Sequence, residues 1–285
     1  MISVVVPTRD RADVLARCLD ALAGQGADEV VVVDDGSTDA TGAVLAARDW
    51  VRAVRRPRPG GRSAAKNSGV EAARGDLVLF VDDDAIAQPG LVERHVRHHA
   101  AHPEPHEALL GHVTWSPELE ITRHMRWLER GGPLFAYDEI DDPDEVSWRM
   151  LYTTNVSLKR EFLEPFDEEL AIWEDTELAY RLRRRGLRLR YDPGALAYHH
   201  REETPERTER RMEEVGAAAA LLHRKHPDLY EPPPPIRRIG LLKAAGASAL
   251  SRLGWRGLDD RLDEHRAARA LARGYERASR RAGPS

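Results

Sequence analysis

Short runs of β-branched residues alternate with stretches of helical periodicity through the first hundred positions of the chain. Residues 2–6, 29–33, 51–55 and 77–81 read as strands, the last continuously apolar, as a strand buried on both faces would be. Between the first two, Val14, Leu15, Cys18, Leu19 and Leu22 recur at helical spacing and predict one apolar helix face. Ser37 and Thr38 have the chemistry of a helix cap, which predicts a helix running to about residue 48. A third helix is predicted over 62–74, rich in alanine but weakened by Gly69. A fourth follows from Pro89 to about residue 100, where His102, Pro103 and Pro105 break the pattern. Strand and helix in alternation predict an α/β fold, with a Rossmann-like, mostly parallel central sheet flanked by helices.

Beyond residue 105 the pattern changes. Residues 106–200 mix strands with an acidic loop at 138–145 and a helix from about Glu174 to residue 185. The predicted organisation is therefore 1–105 and 106–200 as two halves of one domain, followed by a helical C-terminal extension over 201–285. In that extension the prolines at 232–235 predict a stiff, extended break before a last pair of helices. The final segment alternates Leu, Ala and Trp with many arginines, a pattern that suits packing on the domain and could also lie on an anionic membrane surface.

Composition narrows the function. The 285 residues include 48 acidic and 43 basic side chains, a formal net charge of −5, so no excess of positive charge points to nucleic acid as the main partner. Cys18 is the single cysteine, which rules out an internal disulfide or a cysteine zinc cluster and suits a reducing compartment and a packing role. The first residues run directly into a strand without a secretory pattern. The apolar stretches at 217–222 and 239–255 are too short, or too interrupted by Lys243 and Arg252, to span a bilayer. The expectation is a cytoplasmic protein, touching the inner face of the membrane at most through its C-terminal helices.

The candidate chemistry sits where buried strands end. Asp82, Asp83 and Asp84 follow the run Leu77-Val78-Leu79-Phe80-Val81, and open α/β sheets bind ligands outside the carboxyl ends of their strands. Three adjacent carboxylates repel one another; a hard divalent cation, Mn²⁺ or Mg²⁺, would relieve that repulsion and bridge to a diphosphate. Strand alternation sends Asp82 and Asp84 to one side and Asp83 to the other. Residues 30–33 likewise run into Asp34 and Asp35, followed by a polar turn suited to a base or ribose. An isolated acidic triplet is more often a polar turn with a helix cap; the second acidic motif reverses that balance.

Four motifs in order, Val4-Val5-Val6-Pro7-Thr8, Val33-Asp34-Asp35-Gly36-Ser37-Thr38-Asp39, Gly61-Arg62-Ser63-Ala64-Ala65-Lys66-Asn67-Ser68-Gly69 and Phe80-Val81-Asp82-Asp83-Asp84, resemble those of family 2 glycosyltransferases with the GT-A fold, over roughly residues 2–200. The resemblance implies a metal-dependent, inverting transfer of a sugar from a nucleoside-diphosphate sugar, UDP by default, to a hydroxyl on a glycan, a lipid-linked or a small-molecule acceptor. It implies donor binding by the first half and acceptor binding by the second. Pro7, Thr8, Asp34, Asp35, Lys66, Asp82 and Asp83 would face the donor, with Lys66 standing where the family usually has arginine and so lacking its planar fork. Asp84 would ligate the metal, joined by His199 of Tyr198-His199-His200.

Direct displacement needs a base for the acceptor hydroxyl. Trp173-Glu174-Asp175-Thr176-Glu177-Leu178 resembles the family's Glu-Asp signature at a helix start, with Asp175 as the base and Glu174 positioning it or the acceptor. Acids at helix starts are otherwise common caps. Among Trp115, Trp127, Trp148 and Trp173, the last adjoins the proposed base and is the best candidate to stack on an acceptor sugar, and Asn155 is a second acceptor-side candidate. His95, His98 and His99 have helical spacing but lack the rest of a metal site. Two rival readings stand beside this one. A sugar-1-phosphate nucleotidyltransferase is disfavoured because Val6-Pro7-Thr8-Arg9-Asp10 offers no glycine-rich phosphate loop, and a non-catalytic nucleotide-sugar-binding scaffold is disfavoured by the presence of Asp84 and Asp175.

Overall fold

The computed structural model describes residues 1–130, 134–230, 232–233 and 258–281. They form two compact units, one of the described residues within 1–120 and 137–201, the other of those within 121–136 and 202–285. The predicted halves 1–105 and 106–200 thus share the first unit, apart from 121–136. Residues 234–235 of the predicted proline break and the apolar stretch 239–255 lie outside the described residues.

The first unit is built on an eight-stranded sheet in the order β3-β2-β1-β4-β7-β6-β8-β5. Strands β1 (Ile2–Thr8), β2 (Glu29–Asp34), β3 (Val51–Arg55) and β4 (Leu77–Val81) are parallel. They are joined by helices α1 (Ala12–Leu22), α2 (Thr41–Ala46) and α3 (Gly61–Ala72). The chain builds outward from β1 to β3, then returns to place β4 on the other side of β1. Strand order therefore reverses between β1 and β4, the kind of crevice in which open α/β sheets take ligands. Thr8 and Asp34 are register partners at the carboxyl edge, and the acidic triplet follows β4 at the same edge.

The remaining strands are β5 (Ala85–Ala87), β6 (Glu107–Trp115), β7 (Asn155–Lys159) and β8 (Arg188–His199), with helices α4 (Leu91–Ala101) and α6 (Glu174–Arg183) in the same unit. β7 runs antiparallel to β4 and pairs Asn155 with Val81, while β5 runs antiparallel to β8 and pairs Ala85 with His199. That second pairing sets His199 beside the residue that follows Asp84. The parallel sheet predicted from the first hundred residues is therefore continued by a mixed far side, in which β7 and β5 run antiparallel to their neighbours while β6 and β8 pair in parallel.

Local sequence explains the packing of the parallel half. Val4, Val5, Val6, Val78, Leu79, Phe80 and Val81 are fully buried, as continuous apolar runs covered on both faces should be. Cys18 is also fully buried in α1, and burial pushes its thiol well above the ordinary range, consistent with packing rather than reactivity. Gly69, the residue that weakened the predicted helix, has a packing reason. A Cβ there would lie 2.3 Å from Val5 Cγ1, so its absence lets α3 sit close on β1. α2 starts later than predicted, because Ser37 and Thr38 bond to the Asp10 segment instead of capping a helix: Asp10 N donates to Ser37 Oγ, and Thr38 N donates to Asp10 Oδ1. Pro89 likewise precedes α4, whose start is set by Gly90 in the left-handed conformation at φ 86°.

The second unit contains α5 (Arg123–Glu129), α7 (Pro205–Lys225) and α8 (Leu258–Arg281). α7 and α8 approach so closely that a Cβ on Gly216 would lie 2.0 Å from the Leu271 carbonyl oxygen, and one on Gly274 would lie 1.9 Å from that of Glu213. His124 of α5 is buried between Asp263 and Thr208. No helix among the described residues is long and apolar enough to cross a membrane.

Candidate active site

At the end of β4 the three acids have different partners. Asp84 is 2% exposed; its Oδ2 accepts from Arg11 Nη2 at 2.6 Å and its Oδ1 lies 3.2 Å from His199 Nε2. Asp83 accepts from Thr8 Oγ1 at 2.7 Å and pairs with Arg11 Nη1 at 3.0 Å. Asp82 accepts from Thr154 Oγ1 at 2.9 Å. Asp83 is therefore not turned away from the cluster as strand alternation suggested. The regular strand ends at Val81, so the alternation no longer applies, and Arg11 bridges Asp83 to Asp84. Burial pushes Asp83 above the ordinary carboxylate range, with the Asp84 charge adding to it against the pull of Arg11. Burial acts the same way on Asp84, but His199 and Arg11 outweigh it and hold that carboxyl well below the ordinary range. Trp115 stacks on the His199 ring at 5.4 Å and 18°, fixing its plane.

Asp34 and Asp35 organise the turns that follow β2. Asp34 is 2% exposed and accepts from Ser37 N at 2.7 Å. Asp35 clamps the loop before α3, accepting from Gly60 N at 2.9 Å, Gly61 N at 2.8 Å and Arg56 Nε at 2.8 Å. Gly36 between these turns takes φ 75°, and a Cβ there would press on Pro59 at 3.0 Å. Pro7 is half-buried at the end of β1, whereas the Thr8 hydroxyl is already engaged by Asp83. Of the expected donor contacts, Asp35 and Thr8 are thus already engaged by other residues of the chain.

The third element is the start of α6. Trp173 precedes it in the left-handed conformation, φ 68°, a costly geometry for a bulky residue and one that concentrates at functional sites. Glu174 is buried and accepts from Lys66 Nζ at 2.7 Å; the same nitrogen donates to Thr153. Asp175 is half-buried and accepts from Thr176 N. Burial and the neighbouring Glu174 charge push Asp175 up to about 6, with the Asp82 charge adding a smaller effect. Glu177, one turn on, is tied to Arg181 at 2.8 Å and anchors the helix.

Two expected contacts are corrected by these positions. Lys66 was expected at the donor, but its nitrogen is buried and committed to Glu174 and Thr153. Asn155 was expected to line the acceptor side, but it is fully buried. It donates to the carbonyls of His112 and Ala195 and meets His95 Nε2 through Oδ1 at 3.0 Å. Of the tryptophans, Trp173 adjoins Glu174 as expected, Trp115 serves His199, and Trp148 lies against the guanidiniums of Arg149 and Arg183. Arg11 escaped the sequence reading; its position in the loop after β1, at the switch point, was the available signal.

Asp84 Oδ1 and His199 Nε2 converge and are both buried, and no group of three or more His, Cys, Asp or Glu side chains suited to a metal exists among the described residues. That donor set fits a divalent cation which takes two ligands from protein and the rest from diphosphate and water, the usual habit of Mg²⁺ at phosphate sites. It does not make a closed structural site.

A central α/β sheet flanked by helices, with acids gathered at its switch point, is a fold of the GT-A type. The family model Glycosyl transferase family 2 matches residues 3–164, and the chain belongs to that family. It is 28% identical over 250 residues to the pre-mycofactocin glycosyltransferase of Mycobacterium tuberculosis, covering 81% of this chain and 49% of the relative. It is 30% identical over 271 residues to the validoxylamine A glucosyltransferase of Streptomyces hygroscopicus, covering 80% and 62%. The chain therefore spans only about half to three-fifths of these relatives. Among solved structures, a mannosyltransferase from Pyrobaculum calidifontis in complex with GDP-Man and Mn²⁺ aligns with a TM-score of 0.63 at 18% identity, over 96% of this chain and 87% of that one. Staphylococcus aureus TarS 1–349 in complex with UDP-GlcNAc aligns at 0.58 and 17% identity, over 97% and 91%.

Proposed function

We propose that this chain transfers a sugar from a nucleoside-diphosphate sugar to an acceptor hydroxyl, with inversion at the anomeric carbon and with help from a divalent metal. The observation that carries this reading is the start of α6: Asp175 is a half-buried carboxylate next to Glu174, which Lys66 Nζ holds at 2.7 Å, and burial and the Glu174 charge push Asp175 up to about 6. A base and a donor-side acid in one cleft suit single displacement.

In this reading Asp34 and Pro7 line the base and ribose, and Asp82 faces the ribose or the water around the metal. Asp84 and His199 hold Mn²⁺ or Mg²⁺, which when bound offsets the charge growing on the departing diphosphate. Asp175 accepts the proton of the acceptor hydroxyl as its oxygen attacks the anomeric carbon. Lys66 keeps Glu174 ionised, and that charge holds the base in the range useful near neutral pH. Trp173 flanks the base on the acceptor side. The acceptor is a glycan, a lipid-linked or a small-molecule hydroxyl.

The test is a panel of UDP- and GDP-sugars with Mn²⁺ or Mg²⁺, read as release of nucleoside diphosphate, with slow donor hydrolysis scored as well as transfer. Product configuration is read by NMR. The expected result is metal-dependent release and a β-linked product from an α-linked donor. A product of retained configuration would overturn the inverting mechanism, and inorganic pyrophosphate released from a nucleoside triphosphate would overturn the reaction class.

A further inference from the structure

Arg62 occupies the first turn of α3, four residues before Lys66 and so on the same helix face, above the Lys66–Glu174 pair. Its neighbours are all tied down. Gly60 N and Gly61 N donate to Asp35, Ser63 Oγ donates to the Leu170 carbonyl, and Lys66 donates to Glu174. The Arg62 side chain is exposed and makes no hydrogen bond or ion pair with any described residue. Four carboxylates act on it from beyond contact distance, Asp82 most strongly, then Glu174, Asp84 and Asp83. They belong to both walls of the proposed site.

Local structure gives no reason for a cation here. The first turn of a helix carries the positive end of the helix dipole, which disfavours arginine. No carboxylate lies close enough to compensate as a partner. A guanidinium in the field of Asp82 and Glu174, with all its donors unused, can take an anion that enters between the two walls. Its planar fork suits two phosphate oxygens.

We propose that Arg62 is the chain's own cationic contact to the donor's diphosphate, the contact that Lys66, committed to Glu174, does not make. This rests on the glycosyltransferase reading above. The Arg62 fork binds the diphosphate in the ground state and keeps hold of it as the anomeric bond breaks and the negative charge passes to the phosphate oxygen. The same contact discriminates a nucleoside diphosphate from the bare nucleoside.

The test is calorimetric binding of UDP, GDP, uridine and guanosine in the presence of Mn²⁺ to the wild-type chain, Arg62→Gln and Arg62→Lys, together with the melting temperature of each ligand-free protein. Arg62→Gln is expected to weaken the better diphosphate by about 10- to 100-fold, the loss of a charge-assisted pair. It should leave the matching nucleoside unchanged and not lower the melting temperature, because a cation is removed from a helix N-terminus. Arg62→Lys should recover part of the affinity. If Arg62→Gln binds the diphosphate as the wild type does, or loses nucleoside and diphosphate equally, the assignment of Arg62 is overturned while the transferase reading stands. If the wild type binds neither diphosphate, that reading is overturned and the assignment with it.

Discussion

Lys66 Nζ lies 2.7 Å from Glu174 Oε1, with the two side chains 2% and 5% exposed. The pair joins α3 to the start of α6 through the interior, so it sets both the placement and the charge of the residue next to Asp175. Removing one member strands the other as a buried charge, and Lys66→Met should therefore cost about 3–5 kcal/mol. The double variant Lys66→Met/Glu174→Leu should recover most of that loss. Urea denaturation of the three proteins decides it; a single variant as stable as the wild type would show that the pair contributes nothing.

Asp175 must be ionised to accept a proton, and burial together with Glu174 pushes it up to about 6. kcat/KM should therefore rise with pH through about 6 and level off above it. Asp175→Asn should keep donor affinity and lose turnover by about 10²–10⁴-fold, the usual worth of a general base. Near-normal turnover in that variant would remove Asp175 from the chemistry.

Three histidines of α4 give the fold an acid limit. Burial, reinforced by neighbouring histidines, lowers His95 and His98 to about 4 and His99 to about 3, from an ordinary 6.5. Because the folded values are depressed, the unfolded chain binds more protons between these limits. Stability is complete above about 6.5 and falls as pH drops toward 4, by an amount on the order of several kcal/mol. Urea midpoints measured from pH 7.5 to 4.5 should trace this fall; a flat profile would count against it.

Asp84→Asn keeps the shape of the residue but removes half of the converging donor pair, and His199→Ala removes the other half. Each should abolish the extra thermal stability that Mn²⁺ confers on the nucleotide-bound protein, an effect of about 2.7 kcal/mol at a hundredfold excess over Kd. Manganese electron paramagnetic resonance gives a second readout. An unchanged spectrum in both variants would move the metal elsewhere.

What was legible in the chain was what local pattern controls. The four parallel strands, Gly69 in α3, the acids after β2 and β4, and Glu174-Asp175 at a helix start all carry their signal within a few residues. Lys66 was misread because its partner is 108 positions away, and only the packing of α3 against α6 brings them together. Asn155 was misread because a polar residue in a strand looks the same whether it faces a cleft or a buried network; His95, 60 positions earlier, decides which. Ser37 and Thr38 were taken for a cap because the competing Asp10 segment lies on another strand's loop. Asp83 was misjudged because alternation was carried past Val81, where the strand ends.

Arg11 gives the acidic end of β4 a resident counter-ion. Its single guanidinium pairs with both Asp83 and Asp84 and offsets part of their charge from within the chain, so the cluster can be tolerated during folding without a bound cation. Refolding in chelator should then reach the same melting temperature as refolding in Mn²⁺ when nucleotide is left out. A site made of bare carboxylates would make assembly itself dependent on metal supply. In the proposed reading the demand for metal arises only when donor arrives, and cells short of manganese would be expected to accumulate folded, idle protein rather than lose it to degradation.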